Sequence, residues 1–121
     1  MSDYELRKTL SFESAHRLPH VPAGHKCGRL HGHSFKVTLI LRGPLAGQSG
    51  WVVDYTEIKA AAQPLIDQLD HNYLNDIQGL ENPTSEILAK WIFDKLSQKI
   101  KGLYQVIISE TCTTESRFPV R

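Results

Sequence analysis

Alternating hydrophobic and polar residues predict the strands of this chain. Leu6, Leu10 and Phe12 fall on one side of the first alternating segment, with polar residues between them. Successive side chains of a strand point to opposite faces, so each such segment predicts a strand with one buried face. The turn-forming residues 43–50 predict that the segment after them returns as the second strand of a hairpin. The predicted strands cover residues 4–14, 31–42, 51–53, 103–112 and 118–120.

Two other segments repeat hydrophobic residues every three or four positions and predict amphipathic helices. The first covers about residues 55–68, with Asp54 as its N-cap and Pro64 as its one discordant residue. The second begins in residues 82–86, where an asparagine cap followed by a proline in the first helical position is expected, and Gly102 ends it. Its hydrophobic side comprises Ile87, Leu88, Trp91, Ile92, Leu96 and Ile100.

The predicted element order is β-β-β-α-α-β-β, with the two helices consecutive. This order is typical of an α+β fold, in which an antiparallel β-sheet has its helices on one face. A chain of 121 residues supports a single domain, residues 1–121. A small sheet of about four strands has two open edges, so we expect a homo-oligomer.

Composition and charge exclude several classes of function. The formal net charge of +1 gives no electrostatic basis for binding nucleic acid or a membrane surface. No hydrophobic run approaches the roughly 20 residues that span a bilayer, and residues 1–5 do not resemble a signal peptide. Two cysteines are too few for a disulfide framework, so we expect reduced thiols and a cytoplasmic protein.

Three histidines are placed to bind one metal ion. His31 and His33 stand at alternate positions of a predicted strand, so their imidazoles project to the same side. His16, at the end of the first alternating segment, can supply a third nitrogen. Three histidines without a fourth protein ligand are typical of a catalytic zinc site, where one position stays open for water or substrate. The alternative, that these are loop histidines that bind nothing, suits a single histidine better than three.

Cys27 lies four residues before His31, in an irregular loop over residues 17–30. A nearby metal ion and the adjacent Lys26 and Arg29 would stabilise a thiolate, so Cys27 can act as a catalytic base. Two alternatives stay open, namely a small buried side chain and a fourth zinc ligand that closes the site. The other loop histidines, His20 and His25, have no partner that the sequence identifies.

Carboxylates and hydroxyls supply the remaining candidates. Asp70 precedes His71 in a predicted loop, where a carboxylate can orient an imidazole for general acid or base catalysis, although the dipeptide alone is a weak signal. Glu110 continues the hydrophobic face of a strand, so it is exposed or it pairs with a donor such as the N–H edge of a heterocycle. Thr84 and Ser85 fit helix capping better than ligand binding, and the two roles are compatible.

Together these residues resemble the 6-pyruvoyl-tetrahydropterin synthase family, and most closely its bacterial carboxy-forming branch. The resemblance extends over nearly the whole chain, and the order and spacing of its motifs are specific although several motifs are weak alone. The matching segments are Phe12-Glu13-Ser14-Ala15-His16-Arg17-Leu18-Pro19, Cys27 through His33, Leu69-Asp70-His71, Glu81-Asn82-Pro83-Thr84-Ser85-Glu86 and Glu110-Thr111-Cys112.

The resemblance implies a role for each matching position. By position, these roles are zinc ligands for His16, His31 and His33, a catalytic thiol for Cys27, a proton relay for Asp70 and His71, an anchor of the pterin ring for Glu110, and a lining of the pterin pocket for Thr84 and Ser85. The resemblance also implies the T-fold, or tunnelling fold, and a homo-oligomer that is commonly a hexamer of two stacked trimers.

The resemblance further implies a pterin substrate. Three residues separate Cys27 from His31, as in the branch that converts 7,8-dihydroneopterin triphosphate to 6-carboxy-5,6,7,8-tetrahydropterin, acetaldehyde and triphosphate in queuosine biosynthesis. Pyruvoyl-forming members have a longer gap, and a third branch has an acidic residue in the loop, which residues 17–30 lack. Formation of a 6-pyruvoyl product and a non-catalytic zinc- or pterin-binding module are the alternatives.

Overall fold

The computed structural model describes residues 3–121, which form one antiparallel sheet and two consecutive helices. In chain order, the elements are β1 (Tyr4–His16), β2 (His31–Gly43), α1 (Tyr55–Leu69), α2 (Ser85–Leu96), β3 (Leu103–Ser109) and β4 (Ser116–Phe118). The strands lie in the order β1-β2-β3-β4. This architecture confirms the predicted α+β class. The expected domain includes residues 1 and 2, which lie outside the described residues.

Residues 51–53 do not form the predicted hairpin strand. They are bends that lead into α1, after a loop closed by a hydrogen bond from the Ala46 amide to the Trp51 carbonyl at 2.7 Å. The reason is that β2 pairs with β1 along one edge and with β3 along the other. No edge of β2 is therefore left for a returning strand, and a turn followed by three hydrophobic residues does not reveal this.

One face of the sheet packs against both helices and forms the core. Phe12 of β1 and Phe35 of β2 stack at its centre, with ring centroids 4.9 Å apart. The side chains that fill this core are buried, and they include Val37, Leu39, Leu41, Ile58, Ala62, Leu69, Leu88, Ile92, Leu96, Val106 and Ile108. The same face of β1 and β2 continues beyond the phenylalanines to the histidines, so the core ends where the candidate site begins. No helix within residues 3–121 is long and apolar enough to cross a membrane.

The helix ends agree only partly with the predictions. The Asp54 carboxylate accepts the Thr56 amide at 2.9 Å, which confirms the N-cap of α1. In α2 the cap is Thr84, whose hydroxyl accepts the Ile87 amide at 3.1 Å, so the expectation of a proline in the first helical position was wrong. α2 also ends at Leu96 rather than near Gly102, because the chain must turn there to enter β3. Gly102 has φ +87, where an added Cβ would lie 2.8 Å from the Arg42 carbonyl oxygen.

Candidate metal centre and active site

The strand register brings the three candidate metal ligands together. His16 is directly opposite His31 in the β1–β2 pair, and Ser14 is opposite His33, so His16 and His33 are diagonal neighbours. The three ring centroids are separated by 4.6, 5.1 and 4.9 Å. One ligand nitrogen from each ring lies within 4.8 Å of the others. Three imidazole nitrogens at this separation can bind a single metal ion.

Hydrogen bonds fix the ring orientation of two of these histidines. His16 Nδ1 lies 2.9 Å from the Pro83 carbonyl oxygen, and His31 Nδ1 lies 2.7 Å from that of Arg29. Because a carbonyl only accepts, each Nδ1 carries the proton and each Nε2 keeps its lone pair. Metal-binding histidines generally donate their second N–H in this way. The tautomers therefore suit metal binding through Nε2.

His16 shows most clearly that the cluster fits a metal ion. Its side chain is 1% exposed, and its Nε2 is buried without a hydrogen-bond partner among residues 3–121. A buried polar atom without a partner is costly unless it has a ligand. Burial lowers the pKa of His16, the nearby His31 and His33 lower it further, and the hydrogen bond to Pro83 opposes them. The ring is therefore neutral and available as a ligand.

Among the described residues, the cluster contains three candidate metal ligands. Within the described chain, the group of mutually close ligand atoms consists of the three imidazoles and contains no thiol or carboxylate. Cys27 is half-buried on a single 3-10 turn, Lys26–Gly28, and its carbonyl oxygen accepts the Leu18 amide at 2.9 Å. The geometry therefore favours an open site over one that Cys27 closes as a fourth ligand.

Glu110 lies next to the metal cluster, one residue beyond the end of β3. Its Oε2 is 3.8 Å from His33 Nε2, and its side chain is 24% exposed. Burial raises the pKa of this carboxyl group, while its electrostatic interactions with His33 and then His31 oppose the change. The Glu110 carboxylate, which continues the hydrophobic face of the strand, therefore lies beside the metal cluster. A half-buried carboxylate here can accept two N–H donors from a ligand.

Asp70 and His71 form the hydrogen-bonded pair that the sequence allowed. Asp70 follows the last residue of α1, and its Oδ1 accepts the Glu13 amide at 2.8 Å while its Oδ2 lies 2.8 Å from His71 Nδ1. The Glu13 amide and then His71 lower the pKa of Asp70, and the hydrogen bond and charge of Asp70 raise the pKa of His71. His71 has φ +55, a conformation that a non-glycine residue rarely adopts.

The loop that carries this pair runs along the edge of β1. The His71 amide donates to the Glu13 carbonyl, and the Ala15 amide donates to the Asn72 carbonyl at 3.3 Å. Beside it lies an open depression of about 540 Å³, whose lining includes both His33 and His71. The depression therefore reaches one member of each set, His33 and His71, and its lining does not include Asp70, His16 or His31.

Thr84 and Ser85 have structural roles beside the cluster. Thr84 caps α2, and Ser85 Oγ lies 2.7 Å from Ser116 Oγ of β4, so the hydroxyl pair joins the helix to the edge strand. The carbonyl oxygen of Pro83, the residue before the cap, accepts a hydrogen bond from His16 Nδ1. The start of α2 is therefore adjacent to the site, and a pocket-lining role for Thr84 and Ser85 stays a prediction.

Two supporting groups were not predicted from the sequence. One is the Pro83 carbonyl that orients His16, and the other is Asn75, whose side-chain amide pairs with the backbone of Arg17, the residue after His16. Both contacts join residues more than 55 positions apart in the sequence. No local sequence pattern identifies partners that are so far apart in the chain.

Comparison with known proteins assigns the chain to a family. The sequence model of the 6-pyruvoyl tetrahydropterin synthase family matches residues 5–119, and the chain belongs to this family. A 6-carboxy-5,6,7,8-tetrahydropterin synthase from Synechocystis sp. is 45% identical over 117 residues, which cover 92% of this chain and 89% of that protein. A protein of the same name from Bacillus subtilis is 30% identical, covering 92% of this chain and 82% of its own length.

A solved structure agrees with this assignment. The structure of Caenorhabditis elegans 6-pyruvoyl tetrahydropterin synthase matches with a TM-score of 0.87 and 28% identity, covering 95% of this chain and 94% of that one. This similarity confirms the T-fold that the sequence resemblance implied.

Proposed function

We propose that this protein is a zinc-dependent lyase that converts 7,8-dihydroneopterin triphosphate to 6-carboxy-5,6,7,8-tetrahydropterin, acetaldehyde and triphosphate. The single observation that carries the proposal is the cluster of three imidazoles with the buried, unpartnered Nε2 of His16. The 45% identity to the Synechocystis enzyme and the three-residue gap between Cys27 and His31 support the carboxy-forming reaction.

His16, His31 and His33 would hold the zinc ion, which when bound supplies Lewis-acid assistance to the substrate's side-chain hydroxyl oxygens. Glu110 accepts the N–H donors at the edge of the pterin ring and so sets its orientation. Its position 3.8 Å from His33 supports binding of the ring beside the metal cluster. The residues that bind the ring and those that hold the metal are thus neighbours.

Cys27 and the Asp70–His71 pair move the protons. The Asp70 carboxylate holds the proton on His71 Nδ1 and raises the pKa of the imidazole, so His71 stays protonated to a higher pH and can donate from Nε2. The Cys27 thiolate takes the opposite role and removes a proton from the substrate side chain. Thr84 and Ser85 line the pterin pocket from the start of α2.

We also propose that the active form is a cytoplasmic homo-oligomer, a hexamer of two stacked trimers, that acts in queuosine biosynthesis. The loop of residues 70–75 covers the edge of β1 near the metal cluster, and no backbone hydrogen bond from residues 3–121 reaches the outer edge of β1 over residues 4–11. At the other side of the sheet, β4 is a short edge strand. Open edges of this kind pair with strands of other copies.

Mass spectrometry of the products formed from 7,8-dihydroneopterin triphosphate by zinc-loaded protein tests the proposal. We expect a 6-carboxy product together with acetaldehyde. A 6-pyruvoyl product would instead assign the reaction named for the Caenorhabditis elegans protein. Unchanged substrate would favour a non-catalytic pterin-binding module.

A further inference from the structure

The side chain of His25 caps the short turn that carries Cys27. It precedes the 3-10 turn Lys26–Gly28, and its Nδ1 accepts the backbone amide of Cys27 at 3.0 Å. No partner for His25 was identified from the sequence, because histidine is not among the usual capping residues. We propose that His25 is a positioning residue for the Cys27 thiol, an inference that rests on the catalytic role of Cys27 in the proposed function.

The hydrogen bond fixes the state of the His25 ring. An imidazole nitrogen accepts only when it is unprotonated, so the His25 tautomer carries its proton on Nε2. The backbone of His25 is extended, with φ −68 and ψ 136, as expected for a residue that caps a helical turn. A single 3-10 turn has few internal hydrogen bonds, so one cap is a large part of what holds it.

Both backbone groups of Cys27 make hydrogen bonds. Its amide donates to His25 Nδ1 at 3.0 Å, and its carbonyl oxygen accepts the Leu18 amide at 2.9 Å. The carbonyl oxygen of the next residue, Gly28, accepts Arg17 Nε at 2.7 Å. With the main chain held on both sides, the Sγ position is set by one side-chain torsion. The His25 ring is exposed, so its contribution to Cys27 is this hydrogen bond rather than packing.

Two substitutions separate the hydrogen bond from the bulk of the ring. His25→Phe keeps a ring of similar size and removes the acceptor. His25→Asn has a side-chain oxygen that can accept the amide two residues ahead, as asparagine does in Asx turns and N-caps. His20→Phe is the matched control, since His20 lies in the same loop and makes no side-chain hydrogen bond within residues 3–121. All variants are made with Cys112→Ser, so that Cys27 is the one thiol present.

The experiment measures steady-state turnover of 7,8-dihydroneopterin triphosphate, bound zinc, and the rate at which iodoacetamide alkylates Cys27. In His25→Phe we expect kcat to fall about tenfold, as for loss of one capping interaction, with KM and zinc content unchanged. The half-buried thiol should also be alkylated faster. His25→Asn should restore both rates, and His20→Phe should match the parent protein.

An unchanged kcat and alkylation rate in His25→Phe would overturn the inference. Equal losses in His25→Asn and His25→Phe would also overturn it, because the acceptor would then not be what matters. If the parent protein forms no product, the proposed function fails, and the alkylation rates of the zinc-loaded variants still decide whether His25 positions the thiol.

Discussion

Replacement of Asn75 tests whether the end of β1 is held for metal binding by a single side chain. Asn75 Oδ1 accepts the Arg17 amide at 2.9 Å, and Asn75 Nδ2 donates to the Arg17 carbonyl at 2.7 Å. The Asn75 side chain thus makes the two hydrogen bonds to Arg17, the residue after His16, that the backbone of a neighbouring strand would otherwise make. A third, longer contact at 3.3 Å reaches the Glu81 carbonyl. Asn75→Leu removes all three hydrogen bonds while keeping the number of side-chain heavy atoms and their branching.

The expected effect follows from the two short bonds. Each intramolecular hydrogen bond contributes about 1 kcal/mol net, so their loss lowers the free energy of unfolding by about 2 kcal/mol. At about 4 °C per kcal/mol for a chain of this size, the Tm of the metal-free protein falls by about 8 °C. The zinc dissociation constant should also rise by about tenfold, because His16 is less well positioned.

Thermal unfolding of metal-free protein by circular dichroism, followed by zinc titration, measures both effects. Asn82→Leu is the control, since Asn82 is also half-buried and makes no side-chain hydrogen bond within residues 3–121. Asn75→Asp keeps the acceptor for the Arg17 amide and loses the donor, so it should fall between the parent protein and Asn75→Leu. Equal Tm and zinc affinity in Asn75→Leu and Asn82→Leu would refute the reasoning.

Three further substitutions test the proposed roles at the site. Cys27→Ala should abolish turnover while leaving zinc content unchanged, and retained turnover would exclude a catalytic thiol. Asp70→Asn removes the charge that raises the pKa of His71, so this pKa should fall towards 6.5 in an NMR titration of the imidazole; an unchanged pKa would show that Asp70 does not set it. Glu110→Gln replaces one acceptor oxygen with an N–H donor and should raise KM for the pterin substrate at least tenfold, whereas a KM equal to that of the parent protein would contradict the anchoring role.

The sequence predicted the parts of the site that depend on local periodicity. Alternation along the second predicted strand was enough to place His31 and His33 on one face, and the structure confirms it. Alternation continued one residue beyond β3 puts Glu110 on the face of Val106 and Ile108, whereas its position beside His33 depends on how β3 pairs with β2. The pairing of His16 with His31 depends on strand register, which the alternation of a single strand does not specify.

Other features required knowledge of which elements are neighbours. Residues 51–53 follow a turn and are all hydrophobic, but they have no strand to pair with, because β3, which comes later in the chain, occupies that edge of β2. The caps of Cys27 by His25 and of Arg17 by Asn75 are side-chain to backbone contacts. Any polar side chain in a loop could make such a contact, so the residue type alone does not show which side chain makes it.

The position at which α2 begins is coupled to the chemistry of His16. With Asn82 as the cap, the Pro83 carbonyl would lie inside the helix and accept the amide four residues ahead. With Thr84 as the cap, the first helical bond instead runs from the Leu88 amide to the Thr84 carbonyl at 2.9 Å. The Pro83 carbonyl is then outside the helix and free to accept His16 Nδ1. A shift of two residues in the cap thus decides whether His16 has the partner that leaves its Nε2 available to a metal ion.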